Sequence, residues 1–129
     1  MAMREALFDT SVLIEHFRCK DKKASTLYRR THSGVLPRIS ALTRFEIMVG
    51  ATVPQRRFWN DLLESFVIHA FDDRVADEAV RLEQSIRRRG AGSIGMADLF
   101  IASTAIVHDL PLVTLNQKHF QRVEGLRLL

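Results

Sequence analysis

Asp9, Glu46 and Asp98 differ from the other twelve acids of the chain in having no cation placed nearby to neutralise them. Asp9 is flanked by Leu7, Phe8, Val12 and Leu13. On a helix, Glu46 has Leu42, Thr43, Val49 and Gly50 as its i±3 and i±4 neighbours, while Arg44, two residues away, points elsewhere. Asp98 likewise has Ile94, Gly95, Ile101 and Ala102 around it. A carboxylate on an apolar face must find a distant cation, take up a proton or hold a metal ion. If the three converge, an all-oxygen donor set that retains water suits Mg²⁺ or Mn²⁺ better than zinc. A hydrated divalent ion next to a basic surface is equipped for phosphodiester hydrolysis, because it makes water more acidic and offsets charge on the phosphate.

Helix capping accounts for each acid taken singly. Asp9 can cap the helix that follows it, Thr43-x-x-Glu46 matches a capping box, and Asp98 falls in a first helical turn. Capping gives no reason for all three acids to sit on strand-facing segments of one α/β unit.

Those segments come from the hydrophobic periodicity. Ala6 to Phe8 reads as a short buried strand ending at Asp9, and Ser11 to Phe17 as the helix that follows. Ala24 to Ser33 is expected to be helical, with Gly34 as its stop. Arg38 to Ser40, after Pro37, is the second strand, followed by helices over Thr43 to Gly50 and Gln55 to Phe66, the latter with Pro54 in its first turn. Val67 to Phe71 is a third strand. Asp73 to Arg89 is an amphipathic helix stopped by Gly90, and Ala97 to His108 is a helix apolar almost all round. Leu112 to Leu115 is a central strand, Gln117 to Arg122 a short helix, and Leu126 to Leu129 an edge strand. Alternating strands and helices with short connections predict a three-layer α/β/α fold on a mostly parallel sheet, with ligands beyond the strands' C-terminal ends.

The 129 residues, 47% apolar and 26% charged, suit one globular domain spanning 1–129 and exclude disorder, collagen and coiled coil. The longest nearly apolar stretch, Leu99 to Val107, is too short for a membrane span. The first residues carry an acid where a secretory h-region would run, and the single Cys19 fits a reducing cytoplasm, so a cytoplasmic protein is expected. A net charge of +4, mostly from Arg, makes a polyanionic partner plausible. Arg87-Arg-Arg89 reads as the cationic end of a helix.

Four blocks then form a familiar series: Ala6-Leu-Phe-Asp9-Thr-Ser-Val-Leu-Ile, Ser40-Ala-Leu-Thr-Arg-Phe-Glu46-Ile-Met-Val-Gly-Ala, Gly95-Met-Ala-Asp98-Leu-Phe-Ile-Ala-Ser-Thr-Ala and Leu112-Val-Thr-Leu-Asn116-Gln-Lys-His-Phe120. In this order and at these distances they resemble the PIN-domain proteins of the VapC type, over essentially the whole chain. The resemblance implies a PIN fold and a Mg²⁺-dependent endoribonuclease, with Mn²⁺ able to substitute. It also implies the toxin half of a toxin–antitoxin pair, forming homodimers and bound by a cognate antitoxin.

Carried over residue by residue, Asp9, Glu46 and Asp98 fall on the family's metal-binding acids. The fourth position, often acidic, is Asn116 here, and a further acid of some members is His119. That departure bears on a second metal site. An Asn can still offer an amide oxygen, and His119 can bind phosphate or donate a proton; equally, Asn116 can cap the last short helix with His119 in its first turn.

Thr10, Ser11 and Thr114 flank the proposed metal acids and read as hydroxyls that orient carboxylates, or as caps. Arg38 and Arg44, close in sequence to Glu46, are the expected contacts to substrate phosphates. The reading is thus a nuclease cleaving single-stranded or loop RNA, with a catalytically weak RNA-binding PIN-fold module as its rival, since the fourth acid is missing. A phosphoacceptor domain built on Asp9 would need paired acids at the start of the chain and a late Lys-Pro, both absent.

Overall fold

The structure is a computed structural model that describes residues 4–129. Its elements run β1 (Arg4–Phe8), α1 (Thr10–Arg18), a 3₁₀ turn (Lys22–Ala24), α2 (Thr26–His32), β2 (Val35–Ser40), α3 (Ala41–Gly50), α4 (Val53–Glu64), β3 (Val67–His69), α5 (Asp73–Arg88), α6 (Met96–Val107), β4 (Leu112–Val113) and α7 (Gln117–Phe120).

The four strands lie in the order β3-β2-β1-β4, and every pairing is parallel. A parallel strand covered on both faces reads as an unbroken apolar run, and Ala6, Leu7 and Phe8 are fully buried. Their alternation feeds two cores. Ala6 and Phe8 pack with Val12, Leu13, Ile47 and Trp59 under α1 to α4, and Leu7 packs with Leu82, Ile101, Ala102 and Phe120 under α5, α6 and α7. This is the expected α/β/α architecture. Each Val, Leu, Ile or Phe among them contributes about 1.5–3 kcal/mol by leaving water.

From β1 the chain steps outward to β2 and β3, then returns to the far side of β1 for β4. Strand order therefore reverses between β1 and β4. The crevice beyond the C-terminal ends of these two strands is where open parallel sheets bind ligands.

Several boundaries differ from expectation for local reasons. The second strand starts at Val35 rather than Arg38, with Pro37 inside it opposite Ala6. Its missing N–H is tolerated because β3 begins only opposite Arg38, leaving this stretch of β2 with one neighbour. The helix expected over Ala24 to Ser33 is split at Ser25, whose buried hydroxyl accepts the Tyr28 N–H and lies 2.7 Å from His16 Nδ1. Thr43 does not cap α3. Ser40 does, accepting the Thr43 N–H at 3.1 Å, because the helix begins as soon as β2 ends. The edge strand expected at Leu126 to Leu129 is reduced to a single parallel bridge between Leu112 and Leu128.

On the α5–α6 face, the His69 ring stacks on His108 with centroids 3.8 Å apart. Burial, and then the charges of His108 and Arg38, hold the pKa of His69 below its usual value against the opposite pull of Glu5. The unfolded chain therefore takes up this proton first as the pH falls. Stability should be level above about pH 7 and decline once the pH passes below the ordinary histidine value near 6.5. Melting curves from pH 8 to 5.5 check this: His69→Gln should flatten part of the decline, with the rest assigned to His16, whose pKa burial also lowers. An unchanged slope in that variant would place the effect elsewhere.

Candidate active site

The crevice at the β1–β4 reversal holds a cleft of about 650 Å³ lined by Asp9, Glu46, Asp98 and Asn116 together with residues of α1. Four separate elements deliver these polar groups. Asp9 ends β1 and caps α1, Glu46 projects from α3, Asp98 lies in the first turn of α6, and Asn116 follows β4 at the start of α7.

Asp9 is only 3% exposed, and its carboxylate accepts three hydrogen bonds. Oδ1 accepts the Thr10 N–H at 2.9 Å, and Oδ2 accepts the hydroxyls of Ser11 at 2.8 Å and Thr114 at 2.7 Å. Those hydroxyls accept in turn the N–H groups of Leu115 and Asn116. The ends of β1 and β4 are thereby stitched together through one carboxylate. Asp9 thus caps α1 and at the same time lines the cleft.

Glu46 is oriented by a chain of hydroxyls. Thr10 Oγ1 lies 2.8 Å from Glu46 Oε1 and 3.0 Å from Thr43 Oγ1. A hydroxyl has one proton, and the carboxylate takes that of Thr10, so Thr43 donates to Thr10 and Ser40 donates to Thr43 at 3.2 Å. The relay Ser40, Thr43, Thr10, Glu46 runs from the end of β2 to the cleft, its first two members buried.

Among the described residues, Asp98 is the one of the three acids with a basic side chain within ion-pair distance. Its carboxyl is held above its ordinary pKa, first by burial and next by the charge of Asp9, against the pull of His119 and Arg122. His119 Nδ1 stands 3.3 Å from Asp98 Oδ2. Asn116 occupies the N-cap position of α7 without a side-chain capping bond, and it faces the cleft.

Neither arginine expected at the phosphates lines the cleft. Arg38 is bonded to Glu5 on the α5–α6 face, because strand alternation turns it the same way as Leu7. Arg44 is exposed on α3 and does not reach the cleft either. The cation that lines it is Arg18, in the last turn of α1. The spacing of Ser11, Ile14, Glu15 and Arg18, at i, i+3, i+4 and i+7, is the signal that could have found it. Glu15 also lines the cleft, with its carboxylate accepting the Thr26 N–H at 2.7 Å and so fastening α2 onto α1.

Residues 6–126 match the PIN domain family. The chain is 34% identical over 125 residues to ribonuclease VapC1 of Methanocaldococcus jannaschii, covering 95% of this chain and 85% of the relative. It superposes on a toxin–antitoxin complex from Klebsiella pneumoniae with a TM-score of 0.74, 29% identity and 94% of each chain covered. On VapBC2 from Rickettsia felis, solved with a promoter DNA fragment, the TM-score is 0.82 at 22% identity, with 97% of each chain covered. This chain belongs to the PIN domain family, on its VapC ribonuclease branch.

Proposed function

We propose that the chain is a divalent-metal-dependent endoribonuclease and the toxin of a toxin–antitoxin pair. The observation that carries this is the meeting of Asp9, Glu46 and Asp98 in one cleft at the strand-order reversal, with Asp98 close enough to Asp9 to be held protonated more readily by its charge. The carboxylates of Asp9, Glu46 and Asp98 with the amide of Asn116 make a donor set of oxygens suited to Mg²⁺ or Mn²⁺. Among the described residues, no three acidic, histidine or cysteine side chains are grouped closely enough to ligate one ion directly.

Asp9 and Asp98 would hold the ion, Glu46 would bind it or its water, and Asn116 would complete the set. Mg²⁺, or Mn²⁺ in its place, would supply a more acidic water and a positive charge against the phosphate. Ser11 and Thr114 hold the Asp9 carboxylate in one orientation, and the hydroxyl relay does the same for Glu46, so neither reorganises when substrate arrives. Water attacks phosphorus, the P–O3′ bond breaks, and the products are a 5′-phosphate and a 3′-hydroxyl.

The proposed setting is the cytoplasm, with the toxin as a homodimer bound by its antitoxin; the Klebsiella pneumoniae match, itself a toxin–antitoxin complex, supports the antitoxin partner. No helix is long and apolar enough to cross a membrane among the described residues. Incubating the purified chain with single-stranded RNA tests the activity. Cleavage with Mg²⁺ or Mn²⁺, abolished by chelation, is expected. RNA binding without cleavage at any metal concentration would favour the RNA-binding module, which the neutral Asn116 makes credible.

Asn116 also sets the metal requirement. Lacking a fourth charge, the cleft should bind one ion firmly and need millimolar metal for activity. Metal at a hundred times its dissociation constant should stabilise the fold by about 2.7 kcal/mol. Asn116→Asp should shift that melting response to lower metal concentration, and Asn116→Ala should cost less activity than loss of Asp9 or Asp98. A metal titration of melting and of cleavage for these variants checks the ranking, and equal losses at all three positions would contradict it.

A further inference from the structure

The net charge of this protein is not spread over its surface. Residues 18–30 hold six Lys and Arg against one acid, Asp21, a balance of +5, so the remaining residues together carry −1. Lys22 is consumed internally, donating to the carbonyls of His16, Phe17 and Cys19 at the end of α1. Arg30 donates to the carbonyl of Leu129. Arg18, Lys20, Lys23 and Arg29 are exposed, and among the described residues no ion pair involves them. Outside this segment thirteen Lys and Arg are offset by fourteen acids, and among the described residues Arg38, Arg81, Arg87, Arg89 and Arg127 are paired with one directly while Arg44, Arg56, Arg57, Arg74 and Arg88 are not.

This segment adjoins the acid cleft at two points. Arg18 lines the cleft itself. Beyond it, a hollow of about 250 Å³ is lined by Arg29, Arg30, Thr26, Thr114, Leu115 and Gln117, among others. Leu115 belongs to both and is 46% exposed, an apolar side chain standing between a cluster of acids and a cluster of arginines. The Arg29 guanidinium makes only long contacts, 3.4 Å to the Ser25 carbonyl and 3.4 Å to the Thr26 hydroxyl, and so retains donors for a ligand.

We propose that the basic segment from Arg18 to Arg30 is the path of the RNA strand, with Arg29 and the hollow beside it holding the nucleotide next to the scissile phosphate and Leu115 packing against its base. The proposal rests on the nuclease reading above and adds the direction from which substrate enters. Acids in the cleft repel the phosphate backbone unless it is held by cations outside the metal site, and the unpaired cations of this segment provide that hold. An unstacked base offers an apolar face that a side chain such as Leu115 can cover, which duplex RNA cannot present.

The test measures binding of a fluorescent single-stranded RNA and, separately, cleavage kinetics. Arg29→Glu and Lys23→Glu, each checked for an unchanged melting temperature, should weaken RNA binding at least tenfold and flatten its salt dependence by about one unit of slope. In cleavage they should raise KM with little change in kcat. Arg88→Glu, an exposed cation on α5 across the sheet, is the control and should change neither. If both path variants behave like the control, the path is overturned while the nuclease reading stands; a face that seats a protein partner would give that result. If the wild-type chain fails to cleave, the nuclease reading falls, and the binding comparison still decides whether this segment carries RNA.

Discussion

Asp98→Asn is expected to reduce RNA cleavage by about a thousandfold, equivalent to ~4 kcal/mol of transition-state stabilisation, while leaving the melting temperature unchanged or raised. Both effects come from one cause. Asp98 is held in the cleft by packing of α6, partly buried and repelled by Asp9, with only His119 and Arg122 in opposition. Its charge is a burden on the fold that the metal would relieve, so a neutral amide of the same shape removes the burden together with the anchor. The same variant should lose most of the melting-temperature rise that Mg²⁺ or Mn²⁺ gives the wild type. Cleavage within tenfold of wild type would remove Asp98 from the site.

Asp9→Ala should abolish cleavage as completely and shift stability the other way. Its carboxylate satisfies the Thr10 N–H and the Ser11 and Thr114 hydroxyls in a nearly water-free position. Truncation leaves these donors without their acceptor and removes the cap of α1, a cost of about 1–3 kcal/mol. At this chain length each kcal/mol corresponds to roughly 4 °C in melting temperature. Asp9→Asn, which keeps an oxygen acceptor, should recover part of the stability and none of the activity. Two inactive variants with opposite stability signs distinguish an acid that builds the fold from one that the fold tolerates. Equal melting temperatures for Asp9→Ala and Asp98→Asn would mean that the hydroxyl contacts carry no weight.

The acids were legible in the sequence because an unpartnered carboxylate in apolar surroundings is anomalous at short range, and short range is what sequence displays. The strands and helices were legible for the same reason, to within a few residues. Thr10, Ser11 and Thr114 were visible as neighbours of the acids, but the relay through Ser40 and Thr43 was not. Its members come from the end of β2 and two turns of different helices, and only the packing of α1 on α3 makes them a series. Arg38 and Arg44 are near Glu46 along the chain but not in space at the cleft. Strand alternation sends the first to the wrong face and helix geometry keeps the second outside the cleft. Arg18 was hidden because its position depends on how many turns α1 completes.

The two halves of the Asp9 environment are separated by 105 residues, the distance along the chain from that carboxylate to the Thr114 hydroxyl. A chain growing from its N-terminus on a ribosome presents Asp9 first, then Glu46, then Asp98 and only afterwards Asn116, and long-range strand pairings of this kind form late. Nascent chains therefore lack an assembled cleft until β4 has emerged and docked beside β1. Synthesis thus delivers the three acids of the cleft before the strand that closes it.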